Sequence, residues 1–383
     1  MGIFSHDDNS NTTCPMPKYL VADAPDNLVG DLTFHQFNMI LSGACTGLTC
    51  LVILMSMFNH AIHLSDPNKQ IKIMRIASIF PIYSILSLLS ICFPDAYVYL
   101  NGWVDVVQGI AMYSFLMLLC DFLAPNDRHR VEFFASLRIP SKFNKSKTTN
   151  GLSWLKRSWI LVLQYPFVAF ILAIAQCITQ AQGTYCLESR DKHFAHFWIN
   201  IIGIISLGLA IVAILGFYTN LKGHMQEHKP LLKLLAFKLV VGLEFLEEII
   251  FTILHSADAL KPSDTLSYAD TIIGLPTMLI CIQMVPFAFL FYYAYSVKPY
   301  KTSNSGIKSS SDSQQYLAVV DSESGGHYVR RYQGGPLGIF AWLALFNPVD
   351  FFRDIKSTLD MFRDASKTGP VREAGMNMPD YRM

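Results

Sequence analysis

Charged residues are scarce in this 383-residue chain, since Asp, Glu, Lys and Arg make up only 15% of it, against roughly 25% in soluble globular proteins. The 30 basic residues nearly cancel the 29 acidic ones, which leaves a net charge of +1. This balance excludes a nucleic-acid-binding protein that relies on bulk positive charge. Together with a hydrophobic fraction of 52%, the deficit of charge argues against a soluble enzyme and predicts a multi-pass membrane protein.

Several catalytic and receptor signatures are also missing. The chain has no GxSxG sequence, no Walker-type phosphate loop and no cysteines at CxxC or metal-binding spacing. Its third apolar stretch lacks the acidic–Arg–aromatic triplet of rhodopsin-like receptors, and its last stretch has neither a lysine for retinal nor a histidine for a ceramidase-type zinc site. We therefore expect no catalytic site, no metal and no cofactor, while a seven-pass receptor stays open as an alternative.

Seven apolar stretches are each long enough to cross a bilayer core of about 30 Å as a helix. Helices are expected rather than strands because unpaired backbone groups are costly in lipid. The first stretch starts too late, is too long and has too acidic a flank for a signal peptide. The predicted fold is an all-α bundle of seven transmembrane helices over residues 34–297, with spans at 34–58, 73–93, 97–123, 158–180, 197–219, 231–255 and 271–297.

The distribution of Lys and Arg predicts the orientation of this bundle. The third connection carries eight of them, whereas the even-numbered connections contain only Arg190, Lys192 and Lys261. The positive-inside rule then places residues 1–33 outside or in a lumen and the C-terminus in the cytosol. Asn11 opens a glycosylation sequon on the lumenal side, and Cys14 and Cys186 on that side could form a disulfide.

The segment after the last span divides into three parts. Residues 298–335 are rich in Ser and Gly and are predicted to form a disordered cytosolic linker, and residues 366–383 a disordered C-terminus. Between them, residues 336–365 predict an amphipathic helix with Asn347 as N-cap and Pro348 at the first helical position. This helix could lie on the cytosolic leaflet or dock beneath the bundle. Its apolar face carries Val349, Phe352, Ile355, Leu359 and Phe362.

The sixth stretch contains Lys238 and three carboxylates, Glu244, Glu247 and Glu248. At about 100° per residue, the three carboxylates share one helix face. Ionised groups at membrane depth are costly and usually face the bundle interior or water, and adjacent carboxylates repel one another. One interpretation is an ion, proton or cationic-substrate pathway, with Arg75 as a partner from another helix. The other is a structural polar cluster or a face turned toward lumenal water.

A run of residues around the start of the second stretch matches a known family signature. The matching residues are His60, Pro67, Gln70, Ile73, Arg75, Ile76, Pro81, Ile82 and Tyr83, with further matches at 233–238 and 347–350. The chain thereby resembles the organic solute transporter alpha-subunit family, which includes transmembrane protein 184, and it is most similar to the fungal branch. The resemblance implies seven passes. For the animal transporter it implies facilitated movement of bile acids and steroid conjugates with a small single-pass beta subunit.

The sequence departs from that family at two places within the membrane. Val107-Gln108-Gly109 stands where the family often has Tyr-Glu-Ala, and Phe245-Leu246-Glu247 where it often has Phe-Trp-Gln. An anionic sterol would be repelled by three ionised carboxylates. The bile-acid substrate of the animal transporter is therefore not assigned to this chain by the resemblance alone.

We expect a transporter of an amphipathic organic solute or a sterol-like lipid. Its path would be lined by Arg75, Tyr83, Gln108, Lys238, Glu244, Glu247 and Glu248. The alternative is a non-transporting membrane organiser that acts through its cytosolic loops and tail. The expected partners are membrane lipids and either a small single-pass protein or a second copy of the chain. Members of the family occur in vacuolar or endosomal membranes, so an endomembrane or the plasma membrane is the expected location.

Overall fold

Six helical segments in the described part of the chain are long and apolar enough to cross a membrane: Phe34–Ile62, Pro67–Cys92, Pro94–Leu123, Gly151–Ala181, Ala195–His224 and Asp270–Tyr300. The computed structural model describes residues 26–28, 30–140, 148–187, 191–224, 260–301, 317–320, 327–330 and 332–367, and ten positions between 242 and 257. The all-α membrane class and six of the predicted spans are confirmed. Most of the predicted span at 231–255 lies outside the described residues, so the seventh helix stays a prediction.

The individual elements are as follows. The helices are α1 Phe34–Ile62, α2 Pro67–Ala77, α3 Ile79–Cys92, α4 Tyr97–Leu123, α5 Asp127–Ser136, α6 Gly151–Ala181, α7 Ala195–Leu221, α8 Leu275–Ala294, α9 Ile339–Phe346 and α10 Pro348–Lys367. Two antiparallel pairs of short strands join β1 Arg138–Pro140 to β2 Thr148–Asn150, and β3 Leu317–Val320 to β4 His327–Arg330. The second pair lies in the segment for which the sequence predicts a linker without regular structure.

Prolines explain where the second and last spans lose regular helical geometry. The second span divides at Ser78, because the ring of Pro81 clashes with the carbonyl of the residue four positions earlier, which is the last residue of α2. The last span opens with a π-helical turn at Asp270–Gly274, just before Pro276. The carbonyl of Gly274 accepts a hydrogen bond from Asn38 Nδ2 at 3.0 Å, so α1 stabilises this irregular turn.

The second span also begins earlier than the sequence predicts. Helix α2 starts at Pro67, with Asp66 as its cap and Pro67 at the first helical position. The predicted start at residue 73 was wrong because the first turns of α2 are polar. The prediction located only the apolar stretch, which begins after those turns. The result is a helix that extends beyond the apolar stretch.

Helix α4 lies at the centre of the bundle. In its most apolar window 72% of the residues are buried, against 33% for the spans formed by α1, α6 and α7, which leave more apolar surface exposed. Glycines on α4 allow α6 to approach closely, since a Cβ on Gly109 would lie 2.6 Å from the Cα of Pro166. Gln176 Nε2 donates a hydrogen bond to the Val98 carbonyl at 2.7 Å and fixes the register of the two helices.

Helices α9 and α10 pack against one end of the bundle, which we call the tail end; the opposite end, with the α6–α7 connection, is the loop end. Gly338 packs directly against α1, where a Cβ would lie 2.6 Å from the Ala61 carbonyl carbon. Its φ of 77° and this close contact both require glycine at the position. The ring of Tyr113 meets Phe351 with centroids 5.0 Å apart, and Trp159 meets Phe362 at 5.8 Å. One face of α10 therefore contacts the bundle. Its other face leaves Val349, Phe352 and Leu359 exposed, and membrane contact by that face stays a prediction.

Candidate functional site

A cavity of about 500 Å³ lies between the helices in the half of the bundle near the loop end. Residues from α3, α4, α6, α7 and α8 line it, together with Glu247 and Phe251 from the predicted sixth span. Along α4 it extends from Tyr97 to Gln108, which is about 16 Å at 1.5 Å per residue. The cavity therefore reaches from the loop end to around the middle of the bundle.

Three of the seven pathway residues expected from the sequence line this cavity. Tyr83 on α3, Gln108 on α4 and Glu247 come from separate spans and meet at the same space. Lys238, Glu244 and Glu248 lie outside the described residues, so their place on the path stays a prediction. Arg75 is not among the described lining residues, because the tail end holds it instead.

Hydrogen bonds fix the polar groups of the cavity. The Tyr165 hydroxyl lies 3.1 Å from Gln108 Oε1 and 3.3 Å from Asp105 Oδ1, so its single O–H can donate to either acceptor. Gln283 Nε2 donates to Glu247 Oε2 at 2.9 Å across the boundary between α8 and the predicted sixth span. Tyr165 and Gln108 are buried, whereas Asp105 is exposed and Glu247 is half-buried. The two carboxylates therefore stand where a guest in the cavity can reach them.

Sequence reasoning selected Gln108 but missed the rest of its face of α4. Asn101, Asp105 and Gln108 all line the cavity, and their spacing of four and then three residues places them on the same side of the helix. Asp105 on its own fits an interfacial position, and Gln108 on its own fits an interhelical hydrogen bond. The periodicity that joins Tyr97, Asn101, Asp105 and Gln108 is the signal that could have found this face.

The connection between α6 and α7 at the loop end contains a close contact between Asp191 and His193. In the connection between α6 and α7, the backbone N–H of His193 donates to Asp191 at 3.1 Å, and the His193 ring lies 2.7 Å away. These hydrogen bonds hold the pKa of the Asp191 carboxyl below its ordinary value. Asp191 thus remains charged over a wide pH range.

The tail end contains a buried ionic cluster of Lys72, Asp121 and Arg130. Lys72 Nζ lies 2.6 Å from Asp121 Oδ2, and Arg130 Nη2 lies 2.8 Å from Asp121 Oδ1. All three residues are buried, and they join α2, α4 and α5. This cluster ties the second span to the connection after the third, and we interpret it as structural.

Arg75 forms a second polar link at the tail end. Its Nη2 donates to the Ala344 carbonyl at 3.3 Å, and its Nη1 lies 3.7 Å from Asp354 Oδ2. Arg75 is buried and contacts both α9 and α10, so it holds the tail to the second span.

Gln70 organises the turn between α1 and α2. Its Oε1 accepts from the backbone N–H groups of Ser65 and Asp66 at 2.8 and 2.9 Å. Its Nε2 donates to the carbonyls of His60 and His63 at 3.2 and 3.0 Å. His60 and Gln70 of the sequence signature are thus structural groups that close this turn.

The predicted modifications are only partly within the described residues. Cys186 is disulfide-bonded, and the other cysteines of the described part are free. Asn11 and Cys14 lie outside the described residues, so glycosylation at Asn11 and the pairing of Cys14 with Cys186 stay predictions. No group of three or more His, Cys, Asp or Glu side chains that could hold a metal ion occurs among the residues that the structure describes.

Comparison with known proteins gives one family match. A family model described as organic solute transporter Ostalpha matches residues 38–300. A transmembrane protein 184 homologue from Dictyostelium discoideum is 30% identical over 250 residues, which cover 61% of this chain and 47% of the relative. The chain therefore spans about half the length of that relative. No solved structure matches.

Proposed function

Because the chain belongs to the organic solute transporter Ostalpha family, we propose that it is a membrane transporter of an amphipathic organic solute or a sterol-like lipid, and that the solute passes through the cavity at the loop end. The observation that carries the proposal is the cavity itself, in which side chains from at least five spans converge. Its size lies within the range of about 300–1,000 Å³ that is usual for small-molecule sites.

The lining suits a molecule with an apolar body and a polar group. Aromatic and aliphatic side chains such as Phe251, Leu172 and Ile280 form most of the wall, and polar groups of α4 line one side of it from Asn101 to Gln108. Ligand sites typically combine a mostly apolar wall with a small number of placed polar groups that fix orientation. An amphipathic skeleton, such as that of a sterol-like molecule with an apolar body and a polar group, suits this wall.

The two ends of the bundle differ in a way that suits alternating access. The tail end is packed, with Tyr113 and Trp159 buried against aromatic residues of α10, while the cavity lies toward the loop end. The break at Ser78 and the π-helical turn before Pro276 are irregular points of the kind at which helices bend. Under the positive-inside orientation, the cavity would face the lumen or the exterior.

Flux into proteoliposomes tests the proposal. The purified full-length chain would be reconstituted and supplied with a broad panel of amphipathic solutes that differ in ring skeleton and charge. We expect at least one solute to enter faster than into protein-free liposomes of the same lipid. If every solute enters both kinds of liposome at the same rate, the transporter proposal is contradicted.

The exposed apolar face of α9 and α10 favours a second candidate function, that of a membrane organiser. Leu343, Phe346, Val349, Phe352 and Leu359 are all exposed on these helices. Under this alternative, the double substitution Phe352→Glu and Leu359→Glu would change the location of the protein in cells, and no solute would move in proteoliposomes. Under the transporter proposal the same variant keeps its flux, because neither residue lines the cavity.

A further inference from the structure

We propose that the exposed faces of α9 and α10 bind the anionic headgroups of the membrane leaflet at the tail end of the bundle. The inference concerns an interaction surface and not the transport path, so it holds whether or not the cavity carries a solute. The sequence left two places open for α10, on the leaflet or beneath the bundle. In the structure one face of α10 packs against the bundle, and the face beside it is exposed.

Helix α9 exposes a large apolar surface that carries no charge. None of the eight residues of Ile339–Phe346 is acidic or basic. Four of them have exposed fractions between 48% and 77%: Ile339, Phe340, Leu343 and Phe346. Because α9 packs against α1 and α2, this surface lies beside the membrane-spanning helices. Exposed apolar surface that is grouped in this way marks a site of contact with a membrane or with another protein.

Helix α10 has three faces, as the rotation of about 100° per residue shows. The face that packs against the bundle contains Phe351, Ile355, Thr358 and Phe362. The face beside it, which we call the basic–apolar face, consists of five exposed residues at intervals of three and four: Val349, Phe352, Lys356, Leu359 and Arg363. The remaining face contains Arg353 and all four carboxylates of the helix: Asp350, Asp354, Asp360 and Asp364.

Charge is separated between these faces although it cancels over the whole helix. Four basic and four acidic residues lie in Pro348–Lys367, but the basic–apolar face has two cations and no carboxylate. Arg363 also contacts Asp360 at 3.5 Å, and an exposed pair of this kind contributes little. The apolar stems of Lys356 and Arg363 can lie along the neighbouring apolar side chains while their charged ends reach anionic headgroups.

The charges also distinguish a leaflet from a second copy of the chain. A symmetric contact between two copies through the basic–apolar face would place cations against cations. An anionic leaflet offers its acyl chains to Phe352 and Leu359 and its headgroups to the two cations. Under the positive-inside orientation the tail end faces the cytosol, and the cytosolic leaflet is the one that carries anionic lipid.

Other exposed basic residues lie at the same end of the bundle. They are Arg128 on α5, and Lys156 and Arg157 in the first two turns of α6. Ser357 Oγ donates a hydrogen bond to Asp127 Oδ2 at 3.0 Å, so α5 lies next to α10. An anionic headgroup layer at this end therefore meets basic side chains from more than one element.

A photoreactive benzoylphenylalanine in place of Phe352 tests what the basic–apolar face touches. The full-length protein is reconstituted in vesicles of equimolar phosphatidylcholine and phosphatidylserine and irradiated, and the crosslinked products are identified by mass spectrometry. We expect phospholipid adducts, with phosphatidylserine captured about three-fold or more over phosphatidylcholine because of the two cations. The same probe in place of Arg353, on the face with the carboxylates, should capture little lipid.

Matched charge variants locate the source of the lipid preference. The double variant Lys356→Gln and Arg363→Gln, with the probe at position 352, should still capture phospholipid but at nearly equal yields of the two classes. Arg353→Gln removes a cation from the face with the carboxylates and should keep the preference for phosphatidylserine. Raising the salt concentration should weaken that preference in the wild type, because salt screens exposed charges.

The outcomes that overturn the inference are distinct from those of the flux experiment. Crosslinks from position 352 mainly to a second copy of the chain, or no more lipid at position 352 than at 353, would show that this face does not lie on the leaflet. Equal capture of the two lipids by the wild type would exclude anionic selectivity. An unchanged preference in the double variant would remove the assigned role of Lys356 and Arg363.

Discussion

Asp121→Asn is expected to lower the free energy of unfolding by about 3–5 kcal/mol, because it leaves the buried Lys72 without its counter-charge and leaves the buried Arg130 with only the half-exposed Asp127. The Asp121 side chain is only 6% exposed, and its two oxygens lie 2.6 Å from Lys72 Nζ and 2.8 Å from Arg130 Nη2. Asparagine keeps the volume of the side chain but carries no charge. Denaturant titration of the purified protein in mixed micelles measures the loss.

Two controls make the Asp121 prediction specific. Asp127 contacts the same Arg130 at 3.3 Å, but its side chain is 50% exposed, so Asp127→Asn should cost less than about 1 kcal/mol. Replacing Lys72 by Met in the Asp121→Asn background removes one unpaired buried cation and should recover part of the stability. An Asp121→Asn variant as stable as Asp127→Asn would show that the ionic cluster is solvated.

Gln70→Leu is the second substitution with a large expected effect, about 3 kcal/mol or more of lost stability. Gln70 is fully buried and bonds to four backbone groups, two N–H and two carbonyl. Each buried backbone group that loses its partner costs about 1–3 kcal/mol. The turn between α1 and α2 also holds the tail, since Gln333 N–H donates to the Leu64 carbonyl at 2.8 Å. Limited proteolysis of the tail should therefore be faster in the variant.

The exposed Gln182 provides the matched control for this test. Gln182→Leu makes the same change of side chain at a position where no buried backbone group depends on it, so its stability and proteolysis rate should stay close to those of the wild type. Equal stability of the Gln70 and Gln182 variants would refute the assigned role of Gln70 in closing the turn.

The sequence predicted one helix of this fold, α4, to the residue, and the physical reason is visible at its ends. Helix α4 occupies Tyr97–Leu123, as predicted, because prolines at 94 and 125 bracket a mostly apolar run. Helix α2 was placed too late, since its first turns are polar and lie beyond the apolar run. The length of an apolar stretch therefore predicts the apolar part of a helix but not the polar turns that extend it.

The candidate site was predicted in part. Tyr83, Gln108 and Glu247 were each selected as chemically unusual residues at membrane depth, and they line one cavity. Asp105 and Tyr165 were not selected, because an acidic residue near a span end and a tyrosine within a span are both ordinary in isolation. Their importance depends on how α4 and α6 are rotated about their axes, which the close contact of Gly109 with Pro166 helps to set.

Ion pairs between distant parts of the chain were also beyond sequence reasoning. Arg75 was one candidate partner for the carboxylates of the sixth span, and the structure gives it contacts with Ala344 and Asp354 of the tail. Lys72 and Asp121 are 49 positions apart and meet only because α2 and α4 pack side by side at the same depth. Hydropathy gives the approximate depth of a residue in a span but not the direction in which it faces.

Plugging the cavity tests the central claim most directly. Gly203 lines the cavity, whereas Gly208 on the same helix does not and has open space around it, so Gly203→Trp and Gly208→Trp form a matched pair. Both variants would be compared with the wild type for stability and then for flux of a transported solute in proteoliposomes. We expect Gly203→Trp to abolish most of the flux and Gly208→Trp to keep it. Full flux through the Gly203→Trp protein would contradict passage of the solute through this cavity.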